Sequence, residues 1–407
     1  MKECILFVRN SLNYVGGIET YIYKAIKQIA CKGDGVGWIS NNFENINDAF
    51  KDMMINFSIN LIKRSNAIKQ IKSIVVKEKY DKVLIITFCP HDFCYAERLK
   101  NKLNCLSVYT FMFIPHFQGD VLYLEDGFHF GKGYFRKRLG AIYQRMEVNK
   151  NLRYFAPRHL EEFKKRYGCK ETEYKNVQIP NILDQIAFNT ERVKKVYNQL
   201  PFNILCVSRM EFPHKGFVLG LIDDFEKLCK KYDFMKMTII GDGRDMGRLK
   251  KKISGLDETV KKKIQVVGSV SPAQLGDYYD QANVLISVAG CFTLGARRGV
   301  LSIPARHYTE CCEVYGYLPE SKSYTLSTAK GKSVISYIED IAKMTYEDYF
   351  KHCQACYETF SYLNDRSLDF DSLTNESTQT MSLSETILIE SLAIHNKILS
   401  VLQNRKS

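Results

Sequence analysis

Ile204-Leu205-Cys206-Val207-Ser208-Arg209, then Lys215-Gly216, then Met237-Thr238-Ile239-Ile240-Gly241-Asp242-Gly243: this order of residues organises the chain. Four apolar residues of strand character end at Ser208-Arg209, Lys215-Gly216 opens an apolar-periodic segment, and a second strand ends in a glycine turn. Fixed positive charge beyond one strand and permissive backbone beyond the next are what a pyrophosphate requires. Arginine presents a planar fork, lysine a point charge, and glycine lets N–H groups approach closely.

Outward from this stretch the chain keeps alternating strand and helix. In the first half, Ile5 to Val8, Val83 to Thr87 and Tyr109 to Ile114 read as strands, and Glu19 to Ala30 as a helix. Lys63 to Lys79 carries Ile68, Ile71, Ile74 and Val75 at helical spacing. In the second half, Ile264 to Val267 and Val284 to Ser287 read as strands, Phe217 to Tyr232 and Ala273 to Gln281 as helices. Such alternation predicts parallel sheets covered on both faces. A length of 407 residues suits two domains. The expected division is 1–185, 186–360, and a tail at 361–407 of a polar linker followed by an amphipathic helix. The charged segment Asn189 to Tyr197 to Pro201 reads as the joint.

Composition narrows the partners. Net charge is +13, which suits an anionic partner. No helix-turn-helix, zinc-finger or RNA-recognition pattern occurs and the basic residues are spread over both halves, so nucleic acid is set aside. In and just before 132–150, Lys132, Arg136, Lys137, Arg138 and Arg145 interleave with Phe130, Tyr134, Phe135, Leu139, Ile142, Tyr143 and Met146. That pattern reads either as an interfacial helix on an anionic membrane surface or as the solvated face of a packed helix. No apolar run reaches the roughly 18 residues of a membrane span. The opening Met1-Lys2-Glu3-Cys4 leads into a strand rather than a signal peptide, and 13 cysteines without framework spacing suit reduced thiols. The expected location is the cytoplasm, including the inner face of the membrane. Cys353-Gln-Ala-Cys356, on a helix-like segment without a second pair, reads as two thiols on one helix face.

Four motifs in order resemble the large retaining GT-B glycosyltransferase family that usually carries a paired-glutamate E-x7-E motif. They are Gly16-Gly17-Ile18-Glu19-Thr20 after the first strand, His116 after Tyr109 to Ile114, Ile179-Pro180-Asn181-Ile182-Leu183-Asp184, and the Arg209, Lys215, Gly241-Asp242-Gly243 set. The resemblance implies two Rossmann-like domains facing across a cleft, with a C-terminal helix crossing back to the first. It implies that Gly16, Gly17 and His116 stand by the reacting sugar, that Arg209 and Lys215 hold the donor diphosphate, and that Gly241 and Gly243 form the adjacent turn. It further implies a nucleotide-sugar donor, a glycan or lipid-linked acceptor in surface polysaccharide or glycoconjugate synthesis, and no bound metal or other cofactor.

The chain departs from the family where the two glutamates belong. After Val284 to Ser287 it reads Ala289-Gly290-Cys291-Phe292-Thr293-Leu294-Gly295-Ala296-Arg297-Arg298, with Gly290 at the first acidic position and Arg298 eight residues on at the second. Arginine cannot accept a hydrogen bond from a ribose hydroxyl. Two readings follow: an active transferase in which Arg297 or Arg298 meets another anionic feature of the donor, or an inactive relative serving a partner glycosyltransferase subunit or binding glycan. Glu310 and Glu313 are the nearest later carboxylates.

Overall fold

Strands whose residues are apolar in succession can be buried only when helices cover both faces of their sheet. Ile5 to Val8 and Ile204 to Val207 are of this kind, and each lies at the centre of its own sheet. The computed structural model describes residues 2–9, 17–44, 46–47, 50–51, 56–103, 107–114, 123–128, 130–155, 157–169, 173, 177–180, 186–324, 327–361, 370, 373 and 381–404. The chain divides into two units, Met1–Ile182 with Ser367–Ser407, and Leu183–Arg366.

The first unit holds a six-stranded parallel sheet of β1 (Glu3–Val8), β2 (Gly35–Ser40), β3 (Asn60–Lys63), β4 (Lys82–Thr87), β5 (Ser107–Ile114) and β6 (Leu152–Tyr154), in the order β3-β2-β1-β4-β5-β6. Alternate residues of β1 serve opposite faces. Ile5 and Phe7 pack with Ile22 and Ile26 of α1 (Gly17–Lys32), while Cys4, Leu6 and Val8 pack with Ile71 of α2 (Ala67–Glu78) and Leu99 of α3 (Pro90–Lys102). At the start of the β1–β4 pair, Glu3 and Lys82 face each other in register and form a buried ion pair at 2.9 Å. Helices α4 (Lys132–Val148) and α5 (Pro157–Tyr167) close the far end of the sheet. Leu139, Ile142, Tyr143 and Met146 of α4 are buried in that core, so the apolar residues of 139–146 belong to the interior and are not available to a membrane. The C-terminal helix Leu383–Asn404 packs on this unit through Ile389 and Leu392.

The second unit begins with α6 (Thr190–Tyr197), in the segment read as a joint. Three buried residues, Arg192, Val193 and Val196, make it a packed helix: charge counts on its outer face hid a 3.6-residue buried stripe. Its sheet contains β7 (Phe202–Val207), β8 (Met235–Ile240), β9 (Ile264–Gly268), β10 (Val284–Ser287) and β11 (Ser302–Pro304), parallel throughout and ordered β11-β10-β7-β8-β9. Ile204 and Cys206 face α7 (Phe217–Lys231), α8 (Met246–Ser254) and α9 (Glu258–Lys261). Leu205 and Val207 face α10 (Pro272–Asp280) and α11 (Ala289–Arg297). The remaining helices are α12 (Val334–Ile341) and α13 (Tyr346–Ser361), whose Cys353 and Cys356 are core side chains.

A buried polar cluster ties the starts of β7 and β10 together. The Asn203 N–H donates to Asn283 Oδ1 at 2.7 Å, and Asn283 Nδ2 donates to the Val196 carbonyl at 2.9 Å. Arg192 donates to the carbonyls of Gly299, Tyr279 and Ala282, each at 2.9 Å. Buried polar groups hydrogen-bonded in this way favour one packing of α6 on the sheet.

Helix α7 approaches the 310–312 segment so closely that only glycine fits at 220. A Cβ there would stand 2.3 Å from the Cys312 backbone nitrogen and 2.6 Å from the Glu310 carbonyl oxygen. Gly220→Ala is expected to destabilise the protein by about 1–3 kcal/mol through overpacking. The urea unfolding midpoint is the measurement, and an unchanged midpoint would contradict this packing.

Candidate functional site

β7 and β10 are neighbours, yet their following helices lie on opposite faces of the sheet. The loops at their carboxyl ends therefore diverge, and in open α/β sheets such a switch point is where ligands settle. The two strand ends are tied by the Ser287 hydroxyl, which donates to the Val207 carbonyl at 2.7 Å.

The loop after β7 rests on the loop after β8. Ser208 N–H donates to the Ile240 carbonyl at 2.9 Å, Met210 N–H to the Asp242 carbonyl at 3.0 Å, and Phe212 N–H to the Asp245 carboxylate at 2.7 Å. Gly241 and Gly243 have φ of +134° and +158°, and a Cβ on them would stand 1.8 Å from Ser208 O and 2.5 Å from Met210 O. These glycines thus seat the loop that carries Arg209, backbone against backbone.

Lys215 ends this loop, just before α7, and is only 8% exposed. Its ammonium makes no ion pair among the described residues. Burial pushes its pKa down to about 8, the Cys291 thiol works in the opposite sense, the neighbouring Arg209 adds to the lowering, and the Glu211 carboxylate opposes it. Cys291 lies in the first turn of α11; burial pushes its thiol up, while Lys215 and Arg209 draw it back. Arg209 is one-third exposed, with Nη1 3.3 Å from Glu211 Oε1. Two cations thus stand together at the switch point, one of them desolvated and in no ion pair among the described residues, with the Glu211 carboxylate acting on it only through space. A buried ammonium in that condition is strongly disfavoured until an anion joins it.

The remaining expected residues fall in different places. Gly290 lies in the first turn of α11, with open space where a Cβ would be. Arg298 differs from what the resemblance implies. The family's second glutamate leads a helix, whereas Arg298 follows the last residue of α11, and its guanidinium grips Asp280 at 3.1 and 2.6 Å. The reason is that α11 starts immediately after β10, so eight residues further on the chain has run the length of the helix. Arg297 is fully buried. Glu310 pairs with Arg248 at 2.9 Å and Glu313 with Arg306 at 2.8 Å, so both carboxylates are engaged elsewhere.

In the first unit Gly17 opens α1, and Glu19 is buried against Arg9, just beyond β1, at 2.7 Å. Gly16 and His116 lie outside the described residues, as do Asn181 to Asp184. Ile179 N–H donates to the Tyr154 carbonyl at 2.9 Å, and the Tyr21 hydroxyl to the Pro180 carbonyl at 3.0 Å.

Sequence reading did not find a ring cluster beside Lys215. His214 lies 5.2 Å from His307 and 4.7 Å from Tyr308 between ring centroids, and Tyr308 N–H donates to the His214 carbonyl at 3.2 Å. Tyr308 is exposed and has φ of +54°, as does Ala289 at the start of α11. Left-handed backbone at non-glycine residues is strained and gathers at functional sites. No motif signals it, because such backbone strain is held by tertiary packing rather than by residue order.

Residues 201–292 match the family model described as Glycosyl transferases group 1. No curated protein matches the chain by sequence. Among solved structures, a glycosyltransferase from Rickettsia africae shares 15% identity at a TM-score of 0.56, covering 98% of this chain and 99% of its own. Anabaena Alr3699/HepE, solved in complex with UDP-glucose, shares 12% at 0.54, covering 98% and 100%. Sucrose-phosphate synthase from Thermosynechococcus elongatus shares 10% at 0.51, covering all of both chains. At these identities the likeness is one of fold, and the fold is GT-B: two Rossmann-like units, with the match to the group 1 model running from β7 to the first turn of α11.

Proposed function

We propose that the second unit binds a nucleotide-diphosphate sugar and that the chain transfers its sugar, with retention of configuration, to a glycan or lipid-linked acceptor of a surface polysaccharide or glycoconjugate. The carrying observation is the buried Lys215, in no ion pair among the described residues, beside Arg209 at the switch point. A diphosphate supplies a direct counter-charge to both cations. The UDP-glucose in the Anabaena structure makes UDP the first ligand to test.

In this reading the work of the site is electrostatic. Arg209 and Lys215 hold the diphosphate and stabilise the negative charge that grows on it as the bond to the sugar breaks. The leaving phosphate oxygen then takes the proton of the acceptor hydroxyl on the same face, so no protein nucleophile is needed, and orientation supplies the rest. Gly16, Gly17 and His116 keep the roles by the reacting sugar that the resemblance implies, and Gly290 a place beside the donor. Arg298, held by Asp280, supports α11 rather than ribose. No metal is assigned.

A second reading has its own observation. From Val288 to Val300 there is no carboxylate to accept sugar hydroxyls, as binding without transfer would allow. Binding of UDP-sugars without UDP release in the presence of any acceptor extract would select an inactive, partner-serving protein.

Replacing both Arg209 and Lys215, as Arg209→Ala with Lys215→Met, removes two charge-assisted contacts and is expected to weaken UDP binding by about 100-fold or more in calorimetry. Equal affinity in variant and parent would refute the site. The pH dependence is set by Lys215, whose folded pKa of about 8 lies below its ordinary 10.5. Affinity for UDP should therefore fall above pH 8, by at most about tenfold per pH unit.

The same shift acts on stability. Between pH 8 and 10.5 the unfolded chain holds the extra proton, so the free protein gains stability as pH rises through that window. Below pH 8 the charged, buried lysine costs the fold its full penalty, roughly 3 kcal/mol. Lys215→Met should be more stable than the parent at pH 7 and should lack the rise, as read by urea unfolding at several pH values.

A further inference from the structure

Seven of the fourteen large apolar side chains exposed among the described residues lie on α4, just before it, or on the C-terminal helix. Phe130, 92% exposed, and Tyr134 stand at the start of α4. Ile387, Ile394 and Ile398 share a face of the C-terminal helix, at spacings of seven and four. The two sets are joined by a run of rings: His395 stacks on Phe128 at 4.1 Å, Phe128 meets Phe135 at 4.8 Å, and Phe135 meets Tyr134 at 5.6 Å. One surface of the first unit therefore carries aromatic and aliphatic side chains from two helices.

Its charge is one-sided. On the C-terminal helix Glu385 pairs with Arg145 and Glu390 with Arg98, and on α4 Glu147 is buried. Lys132 is taken up by Asp126, and Arg136 lies 3.6 Å from Glu125. Lys137 and Arg138 are exposed and make no ion pair among the described residues. Protruding apolar groups with unneutralised cations beside them fit the interface of an anionic bilayer, where rings and branched chains enter the headgroup region and cations meet lipid phosphates. Among the described residues no helix is long and apolar enough to cross a membrane, so contact through these helices is with its surface.

We infer that this two-helix surface, Phe130, Tyr134, Lys137 and Arg138 with Ile394 and Ile398, docks the protein on an anionic membrane. The inference does not depend on the donor site. It keeps Phe130, Tyr134, Lys137 and Arg138 from the interfacial reading of 132–150, leaves out the central apolar residues, which are in the core, and adds the C-terminal helix.

The test is co-sedimentation of the full chain with phosphatidylcholine vesicles, with and without phosphatidylglycerol, at low and high salt. Binding should require the anionic lipid and weaken with salt. Lys137→Glu with Arg138→Glu should lower the partition coefficient by about 30-fold or more, since each cation near such a surface contributes about fivefold. Phe130→Ser with Ile394→Asn and Ile398→Asn should lower it as well, with thermal unfolding unchanged in both variants. Failure of the parent to bind anionic vesicles, or equal sedimentation of parent and variants, overturns the assignment. Self-association of the parent in sedimentation velocity that the isoleucine variant abolishes would give the surface to a second copy and overturn it too.

Discussion

The second unit turns on one topological constraint: β7 and β10 are adjacent, and the chain leaves them toward opposite faces. Right-handed crossovers between parallel strands make this divergence unavoidable wherever strand order reverses. The loop after β7 then has to be supported from the β8 side, which is why Gly241 and Gly243 lie beneath Ser208 and Met210. Lys215 comes last in that loop, where α7 and the first turn of α11 take it out of water. Its depressed pKa follows from where the crossovers leave room.

At the opposite end of this sheet polar groups join the elements. Asn203, Asn283 and both Arg192 Nη groups bind the strand starts to α6 through hydrogen bonds of 2.7–2.9 Å. The contrast between a hydrogen-bonded base and a buried cation in no ion pair among the described residues at the top separates the part that specifies packing from the part poised for a ligand. Gly220 serves the same division, since it lets the 310–312 segment close on α7 and carry Tyr308 to His214.

Some of the architecture was readable and some was not, for reasons that can be named. β1, β4, β5, β7, β8, β9 and β10 announce themselves as short apolar runs, because strands covered on both faces have no polar alternation. β2 is hidden by Gly35 and Gly37, where close strand packing excludes side chains: a Cβ at Gly37 would stand 2.7 Å from Leu6 Cδ2. Thr190–Tyr197 looks like a linker because its charges outnumber its buried residues. Arg298, eight residues after Gly290, lies just beyond a helix end, because residue spacing along a chain does not say where a helix begins.

What the sequence determined alone was the alternation of strand and helix, the presence of two sheets, and the position of Arg209, Lys215 and the glycine turn at strand ends. These are local: apolar runs, backbone permissiveness and charge are properties of neighbouring residues. Tertiary structure decided that Lys215 is desolvated and in no ion pair among the described residues, that Arg298 belongs to Asp280, that the Tyr308 ring meets His214, and that Leu139, Ile142, Tyr143 and Met146 face inward while Phe130 and Tyr134 face out. Each of these depends on which distant segments displace water from a side chain, and burial is a property of the folded surface that no local pattern encodes.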